Sequence, residues 1–164
     1  MKPTKSRSLA FKFGGGSLML WGCFSWNGVG SLVQIEGIMN VDKYIEIICE
    51  NLEEAVLGLE EKLILQQDNN PKHTAKKTNT FFENSNIKLL EWPAQSSDLN
   101  PIKNLWSVLD SKVPLEKRKN KNDCFKNLQL AFENIDKNYI ENLINSISRR
   151  LEVIIKAKGG HTKH

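Results

Sequence analysis

Two apolar segments joined by a tight-turn dipeptide constrain the fold of this chain more than any other feature. The first, SLMLWGCFSW at 17–26, is almost continuously apolar, which is typical of a strand buried on both faces of a sheet. Asn27-Gly28 follows and is a strong signal for a two-residue hairpin turn. In the next segment Val33 and Ile35 alternate with polar residues. We therefore predict an antiparallel hairpin whose first strand lies inside a sheet.

Beyond the hairpin the apolar pattern changes to helical spacing and back. An amphipathic helix is predicted from Val41, with a stripe formed by Tyr44, Ile48, Leu52 and Val56. Short strands are predicted at KLILQQ, which ends before Asp68, and at IKLLEW, which ends before Pro93. Further helices are predicted at 69–84, 101–112, 123–134 and from 138 onward. This order predicts an α/β fold in which helices flank a mixed sheet.

Composition argues against a disulfide-stabilised or zinc-binding protein and leaves nucleic-acid binding open. The 164 residues suffice for one domain with a core, and the net charge of +4 permits a nucleic-acid partner without requiring one. The three cysteines are far apart and odd in number, so we expect buried thiols rather than disulfides or a zinc site; they are Cys23, Cys49 and Cys124.

The sequence also bears on where the protein acts. No apolar run approaches the ~20 residues that span a bilayer. The basic start lacks the apolar core of a signal peptide. We therefore expect no membrane association and a location in the nucleus or cytoplasm.

Asp68 is the residue that most directly indicates chemistry. A carboxylate at the carboxyl end of a buried strand points into the crevice where α/β sheets bind ligands. The same residue, followed by Asn69, Asn70 and Pro71, also fits a plain turn and helix cap. Its position alone favours neither interpretation.

A lysine stands at an unusual place in the start of a later helix. If Asn100 is the N-cap and Pro101 the first helical residue, Lys103 takes the third position. An acid there would close a capping box and suit the positive end of the helix dipole, and lysine does neither. The helix start by itself therefore does not explain Lys103.

Four sequence strings together resemble the DDE transposases of the Tc/mariner superfamily. They are QQDNNPKHTAK, LEWPAQSSDLNPIKNLW, GGGSLMLWGCFS near the start and IIKAKGGHTKH at the end. They occur in the family's order and cover the chain from about Gly14 to His164. The resemblance implies an RNase H-like DDE superfamily endonuclease domain, which cleaves and transfers DNA strands in cut-and-paste transposition. It also implies two Mg²⁺ or Mn²⁺ ions held by three acids.

The resemblance assigns these acids residue by residue. The middle acid, a metal ligand, is Asp68, and the position of the third falls on Lys103. The first should lie on a strand before Gly14, but residues 1–13 contain no acid. We therefore expect a chain that is truncated at its N-terminus, degenerate, and without the first, central strand. Residues 1–13 would be a basic lead-in without regular structure, unless SLAFKF fills part of that strand's place, and 14–164 the domain fragment.

The cation at the third acid position has a direct consequence for metal chemistry. An ammonium cannot ligate Mg²⁺ and repels it, so we expect metal binding in this chain to be weak or absent. We predict that Lys103 pairs with Asp68 in place of a metal and that the chain is catalytically inactive. A residual metal-dependent nuclease remains an alternative, as does a DNA-binding or dimerising scaffold without chemistry.

Several cations near the start of a helix are candidate DNA contacts. Lys72, Lys76 and Lys77 stand in and after its first turn, where the helix dipole disfavours them. His73 is a further candidate, with an ordinary helix-surface residue as the alternative. The family's N-terminal DNA-binding domain is not in this sequence, so the resemblance implies weak DNA binding without sequence preference. A homodimer or pairing with a full-length transposase is the other expected partnership.

Overall fold

Five strands form one mixed sheet with helices on both faces in the computed structural model, which describes residues 4–56, 63–68, 70–85, 87–91 and 100–156. The strands are β1 (Thr4–Phe13), β2 (Gly16–Ser25), β3 (Gly28–Ile35), β4 (Leu63–Gln66) and β5 (Ile87–Leu89). The helices are α1 (Val41–Val56), α2 (Pro71–Thr74), α3 (Lys76–Glu83), α4 (Ile102–Lys112), α5 (Lys121–Glu133) and α6 (Lys137–Lys156). The strand order is β3-β2-β1-β4-β5. The predicted α/β fold is confirmed.

The predicted hairpin is present at β2 and β3. The two strands pair antiparallel, and Gly28 has a φ of 126°, a backbone conformation that side chains rarely adopt. β2 also pairs antiparallel with β1, so it is an interior strand. Leu20 and Trp21, both fully buried, belong to the two core clusters of the protein. This explains why β2 is apolar at consecutive positions.

β1 is the main departure from the sequence-based expectation. We expected the central strand to be missing and residues 1–13 to lack regular structure, with partial replacement by SLAFKF as the alternative. Thr4–Phe13, which includes SLAFKF, is the central strand of the sheet, so the alternative is the one that the structure supports. It pairs antiparallel with β2 and parallel with β4. Its alternate residues Leu9, Phe11 and Phe13 pack in one core cluster. β2 pairs with β1 from Lys5 to Phe13, and β4 pairs with Thr4 and Lys5. Residues 1–3 lie outside the described residues.

The sheet separates two apolar cores. One contains Phe11 of β1 with residues of α4, α5 and α6; the helix residues include Leu105, Trp106, Leu128, Phe132 and Ile140. The other contains Trp21 of β2 with residues of α1 and α3; these include Tyr44, Ile48, Leu52 and Phe82. A side chain on β1 or β4 therefore faces either α4 or α1.

The helices differ from expectation in detail. The helix predicted at 69–84 is divided at Ala75, whose extended backbone (φ −59°, ψ 146°) separates α2 from α3. Asn100 helps to cap α4, because its Oδ1 accepts a hydrogen bond from the backbone N of Ile102 at 3.3 Å. Cys49 is exposed, unlike the other two cysteines, so its predicted burial is wrong. Within the described ranges, no helix has the length and apolar character needed to cross a membrane.

Candidate functional site

Asp68 follows β4 beside the central strand of the sheet. Lys5 of β1 pairs with Gln66 of β4, and the same parallel register places Arg7 opposite Asp68. The guanidinium Nε of Arg7 lies 3.4 Å from Oδ2 of Asp68, and the two side chains are 24% and 29% exposed. The structure therefore joins this carboxylate to a cation on the central strand.

His73 holds the other oxygen of the same carboxylate. Its Nδ1 lies 2.8 Å from Oδ1 of Asp68, and its ring stacks on Tyr44 with centroids 4.3 Å apart. Gln67 fixes both partners, because its Nε2 donates to the backbone oxygen of His73 at 3.1 Å and its Oε1 accepts from the Tyr44 hydroxyl. His73 is only 2% exposed, so it is not a helix-surface residue. Its position makes it a support for Asp68.

These contacts determine the charge of Asp68. Burial acts to raise the pKa of Asp68, but the hydrogen bond from His73 and the charges of His73 and Arg7 lower it, with a net lowering. The backbone N of Asn70 contributes a weaker hydrogen bond at 3.3 Å. Asp68 is therefore an ionised carboxylate at neutral pH whose two oxygens already have partners.

Lys103 lies on α4, half-buried, in the wall of an open groove of about 620 Å³. Arg7 and Lys12 of β1 line the same groove. Among the described residues, the ion-pair partners of Asp68 are Arg7 and His73, and Lys103 is not one of them. The predicted Lys103–Asp68 pair is therefore wrong. The reason is that the register between β1 and β4 places the guanidinium of Arg7 beside the carboxylate.

An ion pair between Arg118 and Asp110 lies in the wall of the groove. Arg118 is 3% exposed, and its Nη1 lies 2.9 Å from Oδ1 of Asp110 at the end of α4. Its Nη2 also donates to the backbone oxygen of Asp110 at 2.7 Å. This pair contributes no net charge, so the positive charge of the groove comes from Arg7, Lys12 and Lys103.

The donor set around Asp68 does not fit a divalent metal. Mg²⁺ requires several oxygen ligands, and carboxylates supply most of them in proteins. Over the part of the chain that the structure describes, no group of three or more His, Cys, Asp or Glu residues could hold a metal ion. The side chains that share this region, Arg7 and Lys103, carry N–H donors, which suit an anion.

The lysines predicted to contact DNA lie on α2 and α3. Lys76 and Lys77 are exposed, and Lys72 is half-buried with its backbone oxygen accepting from Thr78 Oγ1 at 2.7 Å. The ammonium of Lys77 pairs with Asp42 of α1. Contact of these lysines with DNA stays a prediction.

Sequence reasoning missed Arg7, Tyr44 and Gln67. Arg7 could have been found, because it stands two residues before Leu9 in an alternating segment and so belongs to the same strand face. The contacts of Tyr44 and Gln67 with His73 could not be predicted from the sequence, because the three residues lie on separate parts of the fold.

Comparison with known proteins identifies the family. The profile of the DDE superfamily endonuclease family matches residues 16–129. The Tcb1 transposase of Caenorhabditis briggsae is 40% identical over 156 residues, covering 93% of this chain and 56% of the relative. The Tc1 transposase of Caenorhabditis elegans is 37% identical over 154 residues, with the same coverage of 93% and 56%. The chain thus spans about half the length of these relatives.

The fold has a close structural counterpart. The catalytic domain of the Mos1 mariner transposase superposes with a TM-score of 0.87 at 20% sequence identity, covering 98% of this chain and 83% of that domain. This likeness confirms the RNase H-like fold predicted from the sequence. With the family profile and the Tc transposase relatives, it shows that the chain belongs to the DDE superfamily endonuclease family.

Proposed function

We propose that this chain is a transposase-derived DDE domain that binds DNA weakly and without sequence preference, and that it does not cleave DNA. The observation that carries the proposal is the ion pair between Asp68 and Arg7 at the centre of the sheet. DNA as the partner is supported by the solved Mos1 transposase, which forms a paired-end complex with a transposon end.

Electrostatics argue against metal catalysis at this site. Mos1 has been solved as a paired-end complex with Mn and with Mg, which supports a divalent metal as the family's cofactor. At about 4 Å and an effective dielectric constant of about 20, one cation repels a dication by about 8 kcal/mol. Asp68 attracts the dication by a similar amount, which the guanidinium of Arg7, 3.4 Å from the carboxylate, offsets. Lys103 in the wall of the neighbouring groove adds repulsion, so we expect metal binding to be weak or absent.

A nicking assay tests the proposal. Purified chain is incubated with supercoiled plasmid and either Mg²⁺ or Mn²⁺, and we expect no nicked product. Nicking that disappears in Asp68→Asn would overturn the proposal and establish the residual nuclease.

Metal affinity is a second readout that does not depend on activity. The double variant Arg7→Asp/Lys103→Glu places two acids beside Asp68, so we expect it to bind Mn²⁺ measurably by calorimetry where the parent chain does not. The matched control is Lys126→Glu/Arg149→Asp, which makes the same charge change at two exposed positions. Equal Mn²⁺ affinity in both double variants would contradict the assignment of the site.

Other partnerships follow from the same proposal. A DNA-binding transposase domain acts in the nucleus, and its expected protein partner is a second copy or a full-length transposase. Light scattering of the purified chain checks the first of these, with a mass of twice 18.7 kDa expected for a homodimer.

A further inference from the structure

The central strand β1 continues beyond the end of its parallel neighbour. β2 pairs with β1 as far as Phe13, whereas β4 pairs with β1 only at Thr4 and Lys5. On the side away from β2, no described strand pairs with β1 after Lys5. The second half of β1 therefore has a free edge, although the strand is central in the sheet.

Backbone groups of alternate β1 residues point to this free edge. Along one strand of an antiparallel pair, successive residues direct their N–H and C=O groups in turn toward the partner strand and away from it. The carbonyl of Lys12 points away from β2, because it accepts a hydrogen bond from Nη1 of Arg118 at 3.4 Å. Ser8 and Ala10 stand at even steps from Lys12 and so point the same way. No described turn or loop residue bonds to the backbone of Ser8 or Ala10, which leaves their N–H donors and C=O acceptors open to an added strand.

The groove of about 620 Å³ described above lies along this edge. Ala10 lines one wall and is exposed, and Ser107 of α4 lines the other. The apolar side chains of Leu9, Trp106 and Leu115 also line the groove, and Leu115 is 65% exposed. The edge from residue 8 to residue 12 is about 13 Å long at about 3.3 Å per residue. The groove therefore has room for a short extended segment with an apolar side chain.

The free charges of the groove are positive. Lys12 and Lys103 both line it, and neither forms an ion pair with a described residue. Arg7 adds a third cation, which is paired with Asp68. A ligand whose charge complements the groove is therefore acidic.

We propose that the free edge of β1 binds an extended acidic peptide by strand addition in the groove beside α4. The backbone of the peptide pairs with Ser8 and Ala10, and an apolar side chain of the peptide packs against Trp106 and Leu115. Its acidic side chains lie near the ammonium groups of Lys12 and Lys103. Strand addition of this kind takes its affinity from main-chain hydrogen bonds and its specificity from the side-chain contacts.

A peptide suits this surface better than DNA does. An added strand presents N–H and C=O groups in alternation, as the edge of β1 does, so both kinds of group find partners. The phosphate oxygens of DNA only accept hydrogen bonds and would leave the C=O groups of Ser8 and Ala10 unpaired. The exposed Leu115 also suits an apolar side chain better than a phosphate.

Fluorescence anisotropy with three labelled peptides tests the proposal. The first is a peptide of about six residues in which glutamate and valine alternate, so that it covers the free edge. In the second, every backbone nitrogen is methylated, which removes the N–H donors and should weaken binding by about tenfold or more. In the third, lysine replaces glutamate, and we expect no binding. None of these measurements involves DNA cleavage, so they do not depend on the proposed function.

Two substitutions at exposed positions test the groove, each with a matched control. Leu115→Ser removes an apolar contact and is expected to weaken binding of the acidic peptide by about tenfold. Leu130→Ser makes the same change at an exposed position of α5 and should weaken binding by less than about twofold. Lys12→Glu is expected to weaken binding by about fivefold at low salt, and the α5 control Lys126→Glu by less than about twofold.

The proposal is overturned if the acidic peptide does not bind, if its methylated form binds equally well, or if Leu115→Ser and Leu130→Ser have equal effects. A labelled DNA duplex is measured in parallel. Binding of the duplex but not the peptide, with loss in Lys12→Glu, would assign the groove to nucleic acid and overturn the proposal. A dimer that Leu115→Ser dissociates in light scattering, without peptide binding, would assign the edge to a second copy of the chain and overturn it as well.

Discussion

Replacing Lys5 with methionine should stabilise this protein, because Lys5 carries a charge inside the sheet. The side chain is 1% exposed on the central strand. Burial lowers the pKa of Lys5 from 10.5 to about 7. The charged form is therefore penalised in the folded state, and Lys5→Met removes the charge while keeping a long apolar side chain.

The size and pH dependence of the effect follow from the two pKa values. Between pH 7 and 10.5 the unfolded chain binds more protons at Lys5 than the folded chain does, so stability rises with pH. At 1.36 kcal/mol per tenfold change in proton affinity, the penalty is about 4 kcal/mol at pH 7 and about 2 kcal/mol at pH 9. Replacing a buried ionic group together with its partner is often neutral or gains about 1–4 kcal/mol, and Lys5→Met also removes the interaction that Lys5 makes, so the net gain is smaller than the penalty.

Urea unfolding at pH 7 and pH 9 measures both quantities. We expect Lys5→Met to raise the free energy of unfolding by about 1–4 kcal/mol at pH 7, with a smaller gain at pH 9. The control is Lys12→Met, the same substitution at an exposed position of the same strand, which should change stability by less than about 0.5 kcal/mol.

The result that would refute the reasoning is equal behaviour of the two variants. If Lys5→Met and Lys12→Met change the free energy of unfolding alike at both pH values, Lys5 is not buried. β1 would then not occupy the centre of the sheet, and the register that joins Arg7 to Asp68 would be lost with it.

Two further substitutions test the site and its packing. Asp68→Asn should lower stability at pH 7 by about 1 kcal/mol, because it removes the contacts to Arg7 and His73. The pKa of Asp68 is lowered in the fold, so its contribution is present above its ordinary value of 3.8 and is lost at lower pH. Thermal melts of parent and variant should therefore begin to converge as the pH falls below 3.8, and a constant difference at all pH values would contradict this. Gly22→Ala should cost about 1–3 kcal/mol, since the new Cβ would lie 2.7 Å from Cη2 of Trp106. Gly15→Ala is the control, because the nearest atom to its new Cβ is 4.0 Å away. If Gly22→Ala lowers the free energy of unfolding no more than Gly15→Ala does, α4 moves to accommodate the methyl group.

The sequence alone determined the features that depend on residues adjacent to one another in the chain. The hairpin at Asn27-Gly28 and the helix from Val41 were predicted because turn geometry and side-chain period are local properties. Placement of Asp68 just after a buried strand followed from the same kind of pattern. The family resemblance then added the RNase H-like fold, which no local pattern contains.

Only the tertiary structure decided which groups meet across the sheet. Thr4–Phe13 is too basic to indicate a central strand by itself, yet it pairs with β2 and β4, and even Lys5 is buried there. The partner of Asp68 depends on the register between two strands far apart in sequence, and that register selects Arg7 over Lys103. A contact of this kind cannot be predicted from local pattern, because shifting one strand by a single residue moves every side chain to the opposite face.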